Sequence, residues 1–192
     1  MPFYIKDLIQ SNESPTNVEA SVYKQFKSNG KKDKFIYNDP DEFVRVLAPI
    51  YIQKLNKYGI DLNYAPQLIA QACLESAWGQ KPIGWETNTP TYNFIGEKSI
   101  DGQGYTSATH EYDSNKKYKT KSVFRTWNSL EDAIDFHVWK FSRGRWTAYN
   151  IYDPVNIDGF PHRVQKAGYA TAPDYGNNMI PFVNKVKTIL SK

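Results

Sequence analysis

The sequence predicts an α+β fold that is mostly helical and carries one β-hairpin. Apolar residues recur at helical spacing in four segments, which are residues 43–55, 65–78, 130–141 and 175–190. Two β-rich runs, residues 105–112 and 118–127, are separated by a short polar loop. The chain of 192 residues has no internal repeats and is long enough to bury one sizeable core. We therefore expect helices packed around a core, with the hairpin as a separate lobe.

The first 38 residues differ from the rest of the chain. They contain a polar turn cluster at 11–17 and a short basic run broken by glycine at 27–34. We expect residues 1–38 to form an arm or linker that packs partly on the main domain, and residues 39–192 to form that domain. The basic run is interpreted as a solvated surface, with attraction to an anionic polymer as the alternative.

The first two helices have recognisable ends. Asp39-Pro40 followed by two acidic residues is typical of a helix start, and Gly59 ends the apolar pattern. Pro49 lies inside this pattern and predicts a kink or a break. The second helix is expected to begin after Asn63 as N-cap and to stop at Gly79.

The second half begins with a loop over residues 84–104, which contain five glycine or proline residues. The hairpin follows, with residues 113–117 as its connection. Ser129 and Asp132, at capping-box spacing, predict the start of the third helix. Pro181 marks a start or a kink in the last helix.

Composition excludes several classes of protein. One cysteine and three histidines leave no disulfide framework and disfavour a structural zinc site, so we expect neither a metal nor a cofactor. No apolar run approaches the ~18 residues of a membrane helix, and a net charge of +4 spread over both signs disfavours nucleic-acid binding. Aromatic residues make up 15% of the chain, which fits either a tyrosine-rich core or a surface for flat polar ligands such as sugars.

Glu75 is the first candidate for chemistry. At about 100° per residue it falls ~20° from Leu68, inside the apolar stripe of the second helix and one turn from its end. Burial raises the pKa of a carboxyl group, and a carboxyl group that holds its proton near neutral pH can act as a general acid. A salt-bridged glutamate, or one that reaches water at the edge of the stripe, is the alternative.

A family resemblance enters at the same helix. Residues 68–79 are similar to the "AQxxLESxWG" helix of bacterial glucosaminidase domains, glycoside hydrolase family 73. Further segments resemble the family's motifs in the same order. They are residues 93–98 for "NLFGIK", 109–112 for "TxEY", 123–127 for "FRxY" and 167–175 for "AGYATDPxY". The matches spread over residues 41–192.

The resemblance implies a lysozyme-like fold in which a hairpin lobe flanks a substrate cleft, and cleavage of peptidoglycan after N-acetylglucosamine. It assigns the general acid to Glu75, a second carboxylate to Glu111 and an active-site tyrosine to Tyr169. Five residues are expected to bind substrate or to shape the cleft, namely Trp78, Tyr92, Asn93, Phe94 and Tyr112. Two carboxyl groups are what glycoside hydrolysis usually requires. Retaining, inverting and substrate-assisted mechanisms stay open.

Two positions depart from the family pattern. Glu97 stands where the family usually has an apolar residue, which adds a third candidate carboxylate. Ala172 replaces the usual Asp, so a capping interaction at the last helix is expected to be lost. Cys73 and His137 are interpreted as core residues.

Three functions remain in competition. The leading hypothesis is an endo-β-N-acetylglucosaminidase. The alternatives are a muramidase or lytic transglycosylase on a similar fold, and a non-catalytic wall-binding module. The substrate lies outside the membrane and residues 1–10 show no secretory signal, so we expect a mature fragment of an exported protein or a phage lysin, phage tail or other particle component.

Overall fold

The computed structural model describes residues 36–113 and 116–192. Its longer elements are, in chain order, α1 (Pro40–Lys57), α2 (Ala65–Ser76), β1 (Tyr105–Asp113), β2 (Lys116–Phe124), α3 (Leu130–Phe141), α4 (Phe160–Lys166) and α5 (Tyr175–Leu190). Short 3₁₀ turns join several of them. The predicted α+β class, mostly helical with one hairpin, is confirmed. Of the predicted arm, residues 1–35 lie outside the described residues.

Helices α1 and α3 begin where local capping chemistry predicts, whereas α2 does not. The Asp39 side chain accepts a hydrogen bond from the N–H of Asp41 at 2.9 Å, and Ser129 accepts one from Asp132 at 3.1 Å. Pro49 lies inside an uninterrupted α1, so the predicted break is absent. Asn63 is not the cap of α2, because a 3₁₀ turn at Leu62–Tyr64 precedes that helix.

Helix α2 lies at the centre of the domain. It packs against α1 and α5, and nearly all of its residues are buried. The N-cap residue of α5, Asp174, makes no side-chain capping bond, and Gln165 Oε1 instead accepts a hydrogen bond from the N–H of Gly176 at 2.6 Å. Tyr37, just before α1, is buried against the Phe43 ring with the ring centroids 4.9 Å apart.

The hairpin forms a two-stranded antiparallel sheet. Its register runs from Tyr105 opposite Phe124 to Asp113 opposite Lys116, so the strands reach closer to the turn than predicted and end at residue 124 instead of 127. The loop before the hairpin is fastened to it, since the N–H of Ser99 donates to the carbonyl of Val123 at 2.8 Å. Within the described residues, no helix is long and apolar enough to cross a membrane.

Candidate active site

Glu75 sits in the last turn of α2, next to an abrupt helix end. The helix stops at Ser76 because Ala77 and Trp78 adopt left-handed backbone conformations, with φ of 50° and 61°. The Ser76 hydroxyl donates to the Ala72 carbonyl at 2.6 Å and accepts from the N–H of Gly79 at 2.8 Å. The predicted last residue of this helix, about Trp78, is therefore two residues too late. Because the helix ends at Ser76, Glu75 lies at its C-terminal end.

The carboxyl group of Glu75 is half-buried and contacts groups from distant parts of the chain. Its Oε1 accepts a hydrogen bond from the Tyr175 hydroxyl at 2.7 Å. A β-carbon placed on Gly96 would lie 3.1 Å from its Oε2, so the backbone of the 93–98 loop passes beside the second oxygen. Burial raises the pKa of Glu75 from 4.5 to about 7, against the opposing effects of the Tyr175 hydrogen bond and the Lys140 charge.

Asn93 and Phe94 hold the 93–98 loop in place. The Asn93 amide donates to the carbonyls of Glu97 and Arg125, both at 2.9 Å, and its Oδ1 accepts from the N–H of Glu97 at 3.1 Å. Phe94 packs on Phe43 with the ring centroids 5.1 Å apart. Asn93 and Phe94 are only 1% and 3% exposed. Their buried side chains therefore fix the conformation of the loop. We do not expect these side chains to contact substrate directly.

Glu97 is paired with a buried lysine on α3. Lys140 forms an ion pair with its carboxylate, and only 9% and 17% of the two side chains are exposed. The same ammonium lies 4.7 Å from the centre of the Tyr169 ring and 5.0 Å from that of Trp146. Burial lowers the pKa of Lys140, whereas Glu97 raises it. The carboxylate of Glu97, which departs from the family pattern, is thus neutralised by the ammonium group of Lys140.

Tyr169 lies beside Glu75 without being its hydrogen-bond donor. Its hydroxyl donates to the Ile95 carbonyl, and its ring lies 5.6 Å from that of Tyr175. Burial and the nearby charge of Glu75 raise the pKa of Tyr169 well above its usual value, so the phenol is neutral. The direct donor to Glu75, Tyr175, was not among the predicted site residues. Its place at the end of the last quoted motif was the one signal for it.

Glu111 lies at the other end of the same loop. Its carboxylate forms an ion pair with Lys98 and accepts a hydrogen bond from the Thr171 hydroxyl at 3.1 Å. Thr171 in turn accepts from the N–H of Tyr112 at 3.1 Å. Glu75 faces the loop at Gly96 and Glu111 faces it at Lys98, so the loop links the helical and hairpin carboxyl groups.

The remaining predicted residues differ in their surroundings. Trp78 stacks on Phe182 with the ring centroids 5.1 Å apart and stays partly exposed, as does Tyr112. Tyr92 has a left-handed φ of 54° and lines a small apolar crevice beside Phe94 and Tyr51. Cys73 is buried, and burial raises the pKa of its thiol. No group of three or more potential metal ligands occurs in the part of the chain that the structure describes.

Comparisons with known proteins show which family this domain matches. The glucosaminidase family model, described as mannosyl-glycoprotein endo-beta-N-acetylglucosaminidase, matches residues 48–188. Peptidoglycan hydrolase FlgJ of Pseudomonas aeruginosa is 29% identical over 161 residues, which cover 82% of this chain and 39% of that protein. Exo-glucosaminidase LytG of Bacillus subtilis is 32% identical over 122 residues, 61% of this chain and 42% of LytG. This chain thus spans about two fifths of these relatives.

A solved structure shows the same fold. The crystal structure of a peptidoglycan hydrolase mutant from Sphingomonas sp. A1 superposes with a TM-score of 0.68 at 24% identity, covering 79% of this chain and 98% of that one. Residues 48–188, which include the central helix with its half-buried acid and the hairpin lobe, match the model of a family of glycoside hydrolase domains. The chain belongs to the glucosaminidase family, as its motifs predict.

Proposed function

We propose that this domain is a peptidoglycan hydrolase, an endo-β-N-acetylglucosaminidase that cleaves the β-1,4 bond after N-acetylglucosamine, with Glu75 as the general acid. The proposal rests on the raised pKa of Glu75 at the C-terminal end of α2. Burial of its carboxyl group raises this pKa to about 7. A carboxyl group of this pKa retains a proton for the leaving oxygen near neutral pH. The similarity to peptidoglycan hydrolase FlgJ and to exo-glucosaminidase LytG supports peptidoglycan glycan strands as the substrate.

In the proposed reaction, Glu75 protonates the oxygen of the leaving sugar while the bond to the anomeric carbon breaks. Positive charge then develops on the sugar ring, and a second carboxylate stabilises it or acts from the opposite face. We assign this second role to Glu111, because Lys98 and Thr171 hold its carboxylate at the hairpin end of the loop. Glu97 is a weaker candidate, since its carboxylate is already paired with Lys140.

The products of digestion test the bond that is cleaved. Purified peptidoglycan is incubated with the protein, and the fragments are analysed by mass spectrometry after borohydride reduction. Fragments with reducing-end N-acetylglucosamine are expected. Reducing-end N-acetylmuramic acid would identify a muramidase and anhydro ends a lytic transglycosylase, and either would overturn the proposal. Release of single N-acetylglucosamine units would contradict the endo mode.

Variants of the carboxylates test their roles. Glu75→Gln is expected to abolish lysis while binding to sedimented peptidoglycan is kept. Glu42→Gln, at an exposed position in the first turn of α1, is the matched control and keeps full activity. A wild-type protein that binds walls and lyses none would instead identify a wall-binding module.

For Glu111, replacement by Gln is expected to lower kcat at least ~100-fold, the usual range for a positioned acid or base. An almost unchanged kcat would favour assistance by the substrate's own acetamido group and would overturn the assignment of Glu111.

The route to the wall is a further part of the proposal. Delivery as a phage tail or other particle component is tested by mass spectrometry of purified particles, in which peptides of this chain are expected. Their recovery from the cell-wall fraction of a particle-free culture would favour an exported protein and overturn delivery by particles.

A further inference from the structure

A chain of buried hydrogen bonds runs from the core to Glu75. It joins Tyr51 on α1, His137 on α3, Gln71 on α2 and Tyr175 on α5. The successive bonds measure 2.7 Å between Tyr51 Oη and His137 Nδ1, 2.9 Å between His137 Nε2 and Gln71 Oε1, 3.0 Å between Gln71 Nε2 and Tyr175 Oη, and 2.7 Å from Tyr175 to Glu75. The first three side chains are 0–1% exposed and Tyr175 is 6% exposed.

The donors and acceptors of these side chains allow only one direction for the series of hydrogen bonds. The oxygen of Tyr175 accepts the Gln71 N–H, so the Tyr175 O–H is left to donate to Glu75. The Gln71 carbonyl oxygen can only accept, so the hydrogen on His137 must be on Nε2. Burial lowers the pKa of His137 well below its usual value, so the ring is neutral and its Nδ1 accepts from Tyr51.

The direction of the chain decides which oxygen of Glu75 carries the acid proton. Oε1 already accepts the Tyr175 O–H, whereas Oε2 faces the backbone at Gly96, where the 93–98 loop passes. A protonated Glu75 therefore keeps its hydrogen on Oε2. That oxygen lies on the side of the loop that links the two carboxyl groups.

We propose that Tyr51, His137 and Gln71 are positioning residues that act through Tyr175, forming a one-way relay that reserves Glu75 Oε1 as an acceptor and places the transferable proton on Oε2. This inference rests on the proposed role of Glu75 as general acid. The relay residues are buried and touch no substrate, so they affect kcat and the ionisation of Glu75 and leave KM unchanged. Bonds aligned head to tail polarise one another, which is how a hydroxyl three bonds away reaches the acid.

The substitutions used in the test leave the other ionisable groups around the relay unchanged. Lys140 on α3 and Tyr169 after α4 face Glu75, and Glu97 faces it across Lys140. Cys73 and Tyr152 lie near Tyr51. Removing one relay hydroxyl leaves all of these groups in place, so a change in Glu75 reports on the relay.

The same substitution at three buried tyrosines forms the experiment. Tyr175→Phe removes the donor to Glu75, and Tyr51→Phe removes the first donor of the relay. Tyr64→Phe is the matched control, because Tyr64 is 1% exposed and its hydroxyl donates to the carbonyl of Asp153 at 2.6 Å, outside the relay. The pKa of Glu75 is read from the ¹³C shift of its carboxyl carbon during a pH titration, which requires no catalysis.

A graded response is expected. The pKa of Glu75 rises by about 1–2 units in Tyr175→Phe, the equivalent of a hydrogen bond to a charged group. It rises by at most about 0.05 unit in Tyr51→Phe, because about 10–30% transmitted at each of three successive bonds leaves no more than about 3% of the Tyr175 effect. It stays constant in Tyr64→Phe. An unchanged pKa in Tyr175→Phe, a shift of equal size in Tyr64→Phe, or a larger shift in Tyr51→Phe than in Tyr175→Phe would overturn the relay.

The tautomer of His137 gives a second measurement on the wild-type protein. In ¹⁵N spectra of histidine-labelled protein, His137 is expected to carry hydrogen on Nε2 and none on Nδ1. A hydrogen on Nδ1 would reverse the direction of the chain and overturn the proposal even if every variant failed to fold. Because both measurements are made without substrate, a relay confirmed in a protein that cleaves no peptidoglycan would refute the proposed function alone.

Discussion

Replacing Lys140 by Met is expected to destabilise the domain more than any exposed substitution, because it leaves the Glu97 carboxylate without its partner. Only 9% of the Lys140 side chain and 17% of the Glu97 side chain are exposed, so water replaces the lost interaction poorly. Breaking a buried pair on one side costs about 3–5 kcal/mol, and the residual exposure of both groups places each single variant near the lower end, at about 3 kcal/mol. Glu97→Leu should cost a similar amount.

The double variant Glu97→Leu/Lys140→Met removes both charges together. Replacing both members of a buried pair by apolar residues is often neutral, so we expect a loss of at most about 1 kcal/mol, much less than the sum of the single variants. The Met side chain keeps an unbranched stem next to the rings of Tyr169 and Trp146.

Urea unfolding of all four proteins, followed by far-UV circular dichroism at pH 7, measures the coupling between the two residues. If the loss of stability in the double variant equals the sum of the two single losses, the view that Lys140 compensates the buried charge of Glu97 is refuted. Raising the salt concentration should change the coupling little, since buried pairs are weakly screened.

Four further predictions follow from named contacts. The raised pKa of Glu75 predicts that kcat/KM falls about tenfold per pH unit above pH 7, which a pH–rate profile measures; a flat profile to pH 9 would contradict it. The same shift makes the contribution of Glu75 to the free energy of unfolding largest below pH ~4, and this contribution is lost as the pH rises through 7. Glu75→Gln should therefore exceed wild type in stability by about 2–3 kcal/mol at pH 8 and match it at pH 4 in urea unfolding. Gly96→Ala should lower kcat at least ~10-fold with little change in KM, because φ there is +64° and its β-carbon would press on Glu75 Oε2. Asp39→Ala should cost about 1 kcal/mol through the lost N-cap of α1 and leave kcat unchanged, by thermal unfolding and turnover.

Much of the fold was predictable because its signals are local. Apolar spacing, the Asp39 and Ser129 caps and the β-rich runs act within a few residues, so α1, α3 and the hairpin lie close to their predicted bounds. The end of α2 was misjudged for the opposite reason. Ala77 and Trp78 hold left-handed conformations that their own side chains disfavour, and only the packing around them makes these conformations favourable.

The candidate site divides in the same way. The sequence by itself determined that Glu75 lies in the apolar stripe of a central helix, that the chain belongs to the glucosaminidase family, and that Glu111 and Tyr169 are candidates. The tertiary structure decided which groups meet Glu75. Tyr175 follows it by 100 residues, and the 93–98 loop and Lys140 reach it from separate elements. Such contacts depend on how the helices pack and on the water that this packing removes, and helical periodicity contains no information about either.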